Sequence, residues 1–297
     1  MKKVLLLLIV LVASLNSWAE NYITFTIKGE PGDIIRVYWH CGTGVKIDGL
    51  EKVEQARYKV LKKEVTLTGN ISMFTINKTP LEKLDITHCP SLLQLDFENC
   101  ELSSIDLSGT PKLSSFCCRK NKFKGELNLE MCPEIDNVNC SHNEITSIKF
   151  GPKLRRISAD FNQLTMLDFS HCEKIGDINV YHNNITGANM TAMMNSLPTP
   201  ARRGTIYLLY KKGEERGKNS CVGSDIKIAN DKNWKVYQTD GSTNSVLLTP
   251  ESVSTGIEAV KSESKESAVY TIDGKRIPNG TELQHGIYII DGKKIIK

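Results

Sequence analysis

The chain has no apolar stretch long enough to cross a membrane: its run from Val4 to Ala13 falls short of the roughly 20 residues a spanning helix needs. That run follows Lys2 and Lys3 and precedes a small-x-small end at Ser17 and Ala19, which predicts a secretory signal peptide over residues 1–19, cleaved before Glu20. No cysteine follows that site, which argues against a lipid anchor there. Charge of one sign is also lacking: the formal net charge is +4, and losing Lys2 and Lys3 takes it to +2. So small a surplus gives no footing for nucleic acid or an anionic membrane. Catalytic signatures are missing as well. There is no H-E-x-x-H, no G-x-S-x-G, no phosphate-cradling glycine loop and no paired C-x-x-C. A hydrolase would need acid and nucleophile groups to converge near His40 and Asp48. The expectation is therefore a protein that is not an enzyme and that carries no cofactor and no metal.

What the chain does have is a spacing. From Ile71 onward the template L-x-x-L-x-L-x-x-N-x-L recurs six times at intervals of 19 to 22 residues, starting at Ile71, Leu92, Leu113, Ile135, Leu154 and Ile175. The fourth position is Phe74, Leu95, Phe116, Val138, Ile157 and Ile178, and the sixth is Ile76, Phe97, Cys118, Cys140, Ala159 and Val180. Two positions apart in a strand face the same way, so both sets point inward, while positions three, five and seven face solvent. The ninth position reads Thr79, Cys100, Asn121, Asn143, Asn162 and Asn183. An Asn amide there can both donate to and accept from a backbone leaving the strand. Coils this small share one core only when stacked, which predicts a repeat solenoid with a parallel β-sheet on its concave face.

Between the coils runs a shorter unit, as in LEKLDITHCP and LTMLDFSHCE, too short for three helical turns. It predicts extended or single-turn structure on the convex side, with Pro90, Pro111, Pro133 and Pro152 at the corners. Residues 20–70 alternate like strands and predict a β cap that covers the open end of the stack, with Tyr38, Trp39 and His40 packing in it. The repeats occupy 71–187. An α/β carboxyl-terminal cap is expected over 188–241, with helices at 189–198 and 224–234, the second capped by Ser224 or Asp225, strands at 204–210 and 234–238, and a polar loop, KKGEERGKNS, after the first strand. Residues 242–267 are Ser, Thr, Glu and Lys rich and predict a linker. Residues 268–297 predict three short strands broken at Asp273-Gly274 and Asp291-Gly292, both hairpin signals.

Nine cysteines in such a chain suggest a disulfide framework, but their spacing opposes one. Cys118 and Cys140 take inward positions, and adjacent Cys117 and Cys118 point to opposite faces. Cys89, Cys132 and Cys172 recur on the back about 9 to 10 Å apart, beyond the limit of about 7 Å for a bridge. Most are expected to be buried, reduced thiols. His142 and His182 share position eight two coils apart, and His88 and His171 share a place on the back, in each case too distant for one metal centre.

The outward columns are the candidate ligand-binding face. Position three runs Met73, Gln94, Ser115, Asn137, Arg156, Asp177; position five runs Thr75, Asp96, Cys117, Asn139, Ser158, Asn179; position seven runs Asn77, Glu98, Arg119, Ser141, Asp160, Tyr181. Column neighbours lie about 4.8 Å apart, so Glu98 should pair with Arg119 and Arg156 with Asp177. The expected binding set is Asp96, Glu98, Arg119, Asn137, Asn139, Arg156, Ser158, Asp160, Asp177, Asn179 and Tyr181, over a structural ladder of Asn121, Asn143, Asn162 and Asn183. Few aromatic residues line it, which weighs against sugar stacking.

Two resemblances follow from these residues. The coils, with LDIT, LDLS and LDFS on the back and C-x-x-N or D-x-x-N turns in front, resemble bacterial extracellular leucine-rich repeat proteins of the internalin-like kind. That resemblance implies a scaffold for a protein ligand, often an adhesin. The stretch from TGIEAV to GIYIIDGKKIIK resembles the carboxyl-terminal sorting domain of type IX secretion, although it is shorter than that family's full domain. It implies a protein secreted, or held at the outer membrane or cell surface, of a Gram-negative bacterium. A carbohydrate-binding module of a surface glycan system is the alternative function.

Overall fold

The computed structural model describes residues 21–41, 44–253, 269–271, 275–277, 287–290 and 293–296, so the expected signal peptide lies outside the described residues. The chain divides into two compact units, Met1–Thr255 and Gly256–Lys297. The first is mostly β, with two helices among its described residues.

Its main sheet has 13 strands. At its centre, six strands taken from successive coils pair in parallel: Ile71–Ile76, Gln94–Asp96, Ser115–Cys117, Asn137–Asn139, Arg156–Ser158 and Asp177–Asn179. The register runs Phe74, Leu95, Phe116, Val138, Ile157, Ile178 without a slip. These six side chains and those two residues on are essentially inaccessible, as an alternating strand with one buried face requires. The parallel strands one coil apart are compatible with stacked coils. Each corner is a turn in which the N–H of a coil's first residue reaches back three residues: Leu92 to Cys89, Leu113 to Thr110, Ile135 to Cys132. Proline stands second in each of these turns, where its fixed φ suits the geometry. On the back, Lys124–Asn128 pairs in parallel with Glu144–Lys149, while residues 102–107 and 163–169 have no regular structure. No helix forms there among the described residues, for want of length.

Both ends of the sheet are covered. At the amino-terminal end, Ile34–Cys41 pairs antiparallel with the first-coil strand, and Arg57–Val60 and Leu50–Glu54 follow it outward. A separate four-stranded sheet joins Lys46–Asp48, Glu64–Thr68, Tyr22–Ile27 and the back strand Leu81–His88. Trp39 packs on Tyr58 with ring centroids 5.2 Å apart, whereas Tyr38 and His40 are exposed, so only the tryptophan serves as cap core. At the carboxyl-terminal end, Gly204–Lys212 and Trp234–Thr239 extend the parallel sheet, backed by helices α1 (Gly187–Ser196) and α2 (Gly223–Asp231).

Three expectations are corrected here. The residue preceding α2 is Val222, and the cap is supplied from inside the helix by Asp225, whose Oδ2 accepts the Val222 N–H at 3.0 Å. Its Oδ1 accepts from Thr191 Oγ1 at 2.7 Å and ties α2 to α1. The polar loop after residue 210 is partly a hairpin, with Glu215–Arg216 folded back on Lys211 and Lys212. The expected linker does not begin at residue 242: Ser245–Leu247 adds an antiparallel edge strand to Trp234–Thr239, and Leu248 is buried. The polar composition hid one apolar anchor, which was enough to hold the strand.

In the second unit, four strands pair antiparallel in the order Arg276–Ile277, Val269–Thr271, Ile287–Ile290, Lys293–Ile296, one more than expected. Ile290 stands opposite Lys293 across the two-residue gap where Asp291-Gly292 signalled a hairpin; those two residues, and Asp273-Gly274, lie outside the described residues.

Candidate functional site

The outward columns are held by the ladder beneath them. Asn143 Nδ2 donates to the carbonyls of Cys118 and Cys140, both at 3.0 Å, and its Oδ1 accepts the Phe123 N–H at 3.0 Å. Asn121, Asn162 and Asn183 repeat the pattern, each reaching the sixth-position carbonyl of the coil before it. Cys100 keeps one of these bonds, with Sγ donating to Ile76 O at 3.1 Å. The ladder has a further rung that the template missed. Asn219, arriving after a helix, a strand and a hairpin, donates to Val180 O and Leu208 O and accepts from Ile185 N–H. Its only sequence signal is an Asn closing a polar loop.

Over this frame the third column, Asn137, Arg156 and Asp177, is exposed, and the fifth, Asp96, Asn139, Ser158 and Asn179, is half-buried. Both expected ion pairs form. Arg119 meets Glu98 at 2.8 Å with Lys120 adding a contact at 3.3 Å, and Arg156 Nε meets Asp177 Oδ2 at 3.0 Å. Asn179 Oδ1 is buried without a hydrogen-bond partner.

Position seven departs from expectation in the last three coils. Ser141, Asp160 and Tyr181 are buried, so Asp160 and Tyr181 are not available as surface anchors. The cause lies at position eight. Lys78, Asn99, Lys120, His142, Phe161 and His182 all have left-handed backbone, with φ between 52° and 58°. The chain turns there in every coil. In the last three coils the residue at this turn carries a ring: Phe161 stacks between His142 at 4.3 Å and His182 at 4.4 Å, and meets Tyr181 and Tyr210 edge-on. These rings roof position seven. Beneath them Asp160 Oδ1 accepts from Ser141 Oγ at 2.6 Å, and its other oxygen lies 4.0 Å from His142 Nε2. Burial, followed by the nearby Asp160 charge, pushes the Tyr181 phenol up. Burial pushes the His142 imidazole below its ordinary value, against the pull of Asp160.

Continuing the fifth column past the template leads to Tyr207 and Tyr237, which pair with Asn179 and with each other in register. Their rings stack at 5.5 Å and 28°. The scarcity of aromatics therefore ends with the sixth coil, and carrying the column into the predicted strand GTIYLLY would have found the first of them.

All nine cysteines are free thiols. Cys132 Sγ reaches Thr110 O at 3.5 Å and Cys172 Sγ reaches Gly151 O at 3.6 Å, so the back column is tied coil to coil by thiol hydrogen bonds. Burial pushes Cys89, Cys117 and Cys221 up to about 12, far from thiolate at neutral pH. His40 contacts Ser72 Oγ and Asp48 is held by Lys62, so each has its own local partner. Among the described residues no three His, Cys, Asp or Glu side chains gather as a metal site would need.

No protein-family model matches the chain, and no curated protein matches it. Among solved structures it is similar to the functional domain of InlJ from Listeria monocytogenes, described as including a cysteine ladder. The identity is 15%, the TM-score is 0.31, and the match covers 58% of this chain. The chain spans about half the length of that protein, 50% of which is covered.

Proposed function

We propose that the chain is a leucine-rich repeat solenoid that binds a protein partner through its concave sheet, adhesin-like and without enzymatic activity, at or beyond the surface of a Gram-negative bacterium. The observation that carries this reading is the unbroken register. It holds the polar third and fifth columns on one rigid face from Met73 through Lys235, over a core they do not enter. A face built on strands keeps its side chains in place and loses little entropy on binding. Within it Arg156, exposed and tied to Asp177, and the Tyr207 and Tyr237 pair are of the residue types that dominate interfaces. The apolar leader and the sorting-like tail support export. A second reading, capture of a surface glycan, is favoured by the stacked tyrosines beside Asn179.

The test is a screen of the full chain against extracellular proteins and glycans beside an Arg156→Ala, Tyr207→Ala variant. A protein hit lost in the variant supports the first reading and a glycan hit lost in it supports the second. A hit that the variant retains moves binding off this face.

A further inference from the structure

The main sheet ends differently at its two edges. Leu50–Glu54 closes the amino-terminal edge with Glu51, Lys52 and Glu54, and the edge strand Lys46–Asp48 of the smaller sheet carries Lys46 and Asp48. Charges on an edge oppose pairing with another chain. Ser245–Leu247, at the carboxyl-terminal edge, carries none. Its side chains are all exposed, Val246 at 63% and Leu247 at 43%.

The backbone of that strand is open on its outer side. Leu248 N–H donates to Val236 O at 2.8 Å and Asp240 N–H to Asn244 O at 3.4 Å, and between them Val246 stands opposite Gln238. Residues 244, 246 and 248 therefore turn their backbone groups toward Trp234–Thr239, and alternation turns the N–H and C=O of Ser245 and Leu247 outward. Among the described residues neither has a backbone partner on that side. After Leu248 the chain leaves toward the helices rather than along this edge. Pro250 O sits so close to Gly223, at the start of α2, that a Cβ there would meet it at 2.5 Å, and Val253 packs against the core.

Charge around this edge has one sign. From Thr239 to Val253 there is no Lys, Arg or His, while Asp240 opens the turn before the strand and Glu251 lies in the turn after it. Hydrogen bonds from Ser242 and Asn244 hold the Asp240 carboxyl down at about 2, and bonds from its own N–H and from Thr249 hold Glu251 below its ordinary value. Both are charged at neutral pH, and among the described residues neither has an ion-pair partner.

We infer that this edge takes an extended segment of a partner protein, apolar at its centre and basic at each end, added as the next strand of the sheet. Its backbone pairs with the outward groups of Ser245 and Leu247. Its apolar side chains lie beside Val246 on one face and beside Leu247, opposite Tyr237, on the other, and its basic ends reach Asp240 and Glu251. A second copy of this chain is disfavoured, because both ends of the strand are acidic and pairing two of them sets like charge against like. The site does not depend on the concave-face reading.

Fluorescence anisotropy of the full chain with labelled KTLVLTK and ETLVLTE tests it; both read the same in either direction, so strand orientation does not matter. The basic peptide should bind about tenfold or more tightly than the acidic one. Asp240→Asn combined with Glu251→Gln, which keeps shape and removes charge, should abolish that preference. Leu247→Pro deletes an N–H that the fold leaves unpaired, so it should keep the melting midpoint and abolish binding. Arg156→Ala on the concave sheet should leave binding unchanged. No binding of either peptide, equal binding of both, an unaltered preference in the double variant, or binding retained in a folded Leu247→Pro chain overturns the proposal. So does self-association of the chain in sedimentation that Leu247→Pro removes, which would give the edge to a second copy.

Discussion

Asn162 makes the frame of the sheet measurable at a single residue. Its amide donates to three carbonyls and accepts the Ile145 N–H, all away from solvent. Asn162→Ala leaves those groups unpaired and should cost about 1–3 kcal/mol in urea unfolding; an unchanged midpoint would mean the rung does not hold the coils together. The neighbouring turn gives a second test. Because burial lowers the His142 pKa in the folded state, the unfolded chain takes up that proton first as pH falls below the ordinary 6.5. Stability tied to this group is therefore present above pH 6.5 and declines below it. NMR titration of the imidazole should give a midpoint below 6.5, and His142→Phe, which keeps the ring against Phe161, should flatten the acid limb of the stability profile.

The Asn ladder was legible because one side-chain type recurs at one position. The left-handed turn at position eight was not, since Lys, Asn, His and Phe share no residue type that announces positive φ. Nor could the sequence show that Asp160 and Tyr181 lie beneath the rings, because that depends on what the adjacent coils and Tyr210 place above them.

At the scale of elements, the edge strand Ser245–Leu247 marks where the folded unit ends. Chains ending at residue 241 lose that strand and the buried Leu248. They should melt earlier than chains ending at residue 253, by an amount that reflects about 1.5–3 kcal/mol for the leucine alone. Equal melting of the two truncations would show that 242–253 adds nothing to the cap. Composition had suggested a linker there, because a three-residue strand with one buried neighbour is too short to raise an apolar period. The two parallel strands before it were legible, as GTIYLLY and WKVYQ alternate for long enough. The expected α2 cap, Ser224 or Asp225, lies two or three residues past the observed one at Val222, because Asp225 reaches back to cap from the first turn.

At the scale of the molecule, stacked coils stabilise one another only through their neighbours, so the ends carry a particular burden. The strand Ile34–Cys41 covers the edge of Ile71–Ile76, and the sheet containing Tyr22–Ile27 covers the back strand Leu81–His88. Deleting residues 21–70 from the chain should expose a paired-strand edge and produce concentration-dependent association, read by light scattering. A monomeric, fully folded product would overturn the capping role.

The sequence by itself determined which residues face the core, which face outward, and how far apart in the chain the paired strands stand. A repeated spacing is a local property, and in-register stacking copies it from one coil to the next. Only the tertiary structure decided which outward positions stay exposed and how Asn219 reaches the ladder across a helix and a hairpin. Each of these depends on contacts between segments with no common period, so no pattern along the chain records them.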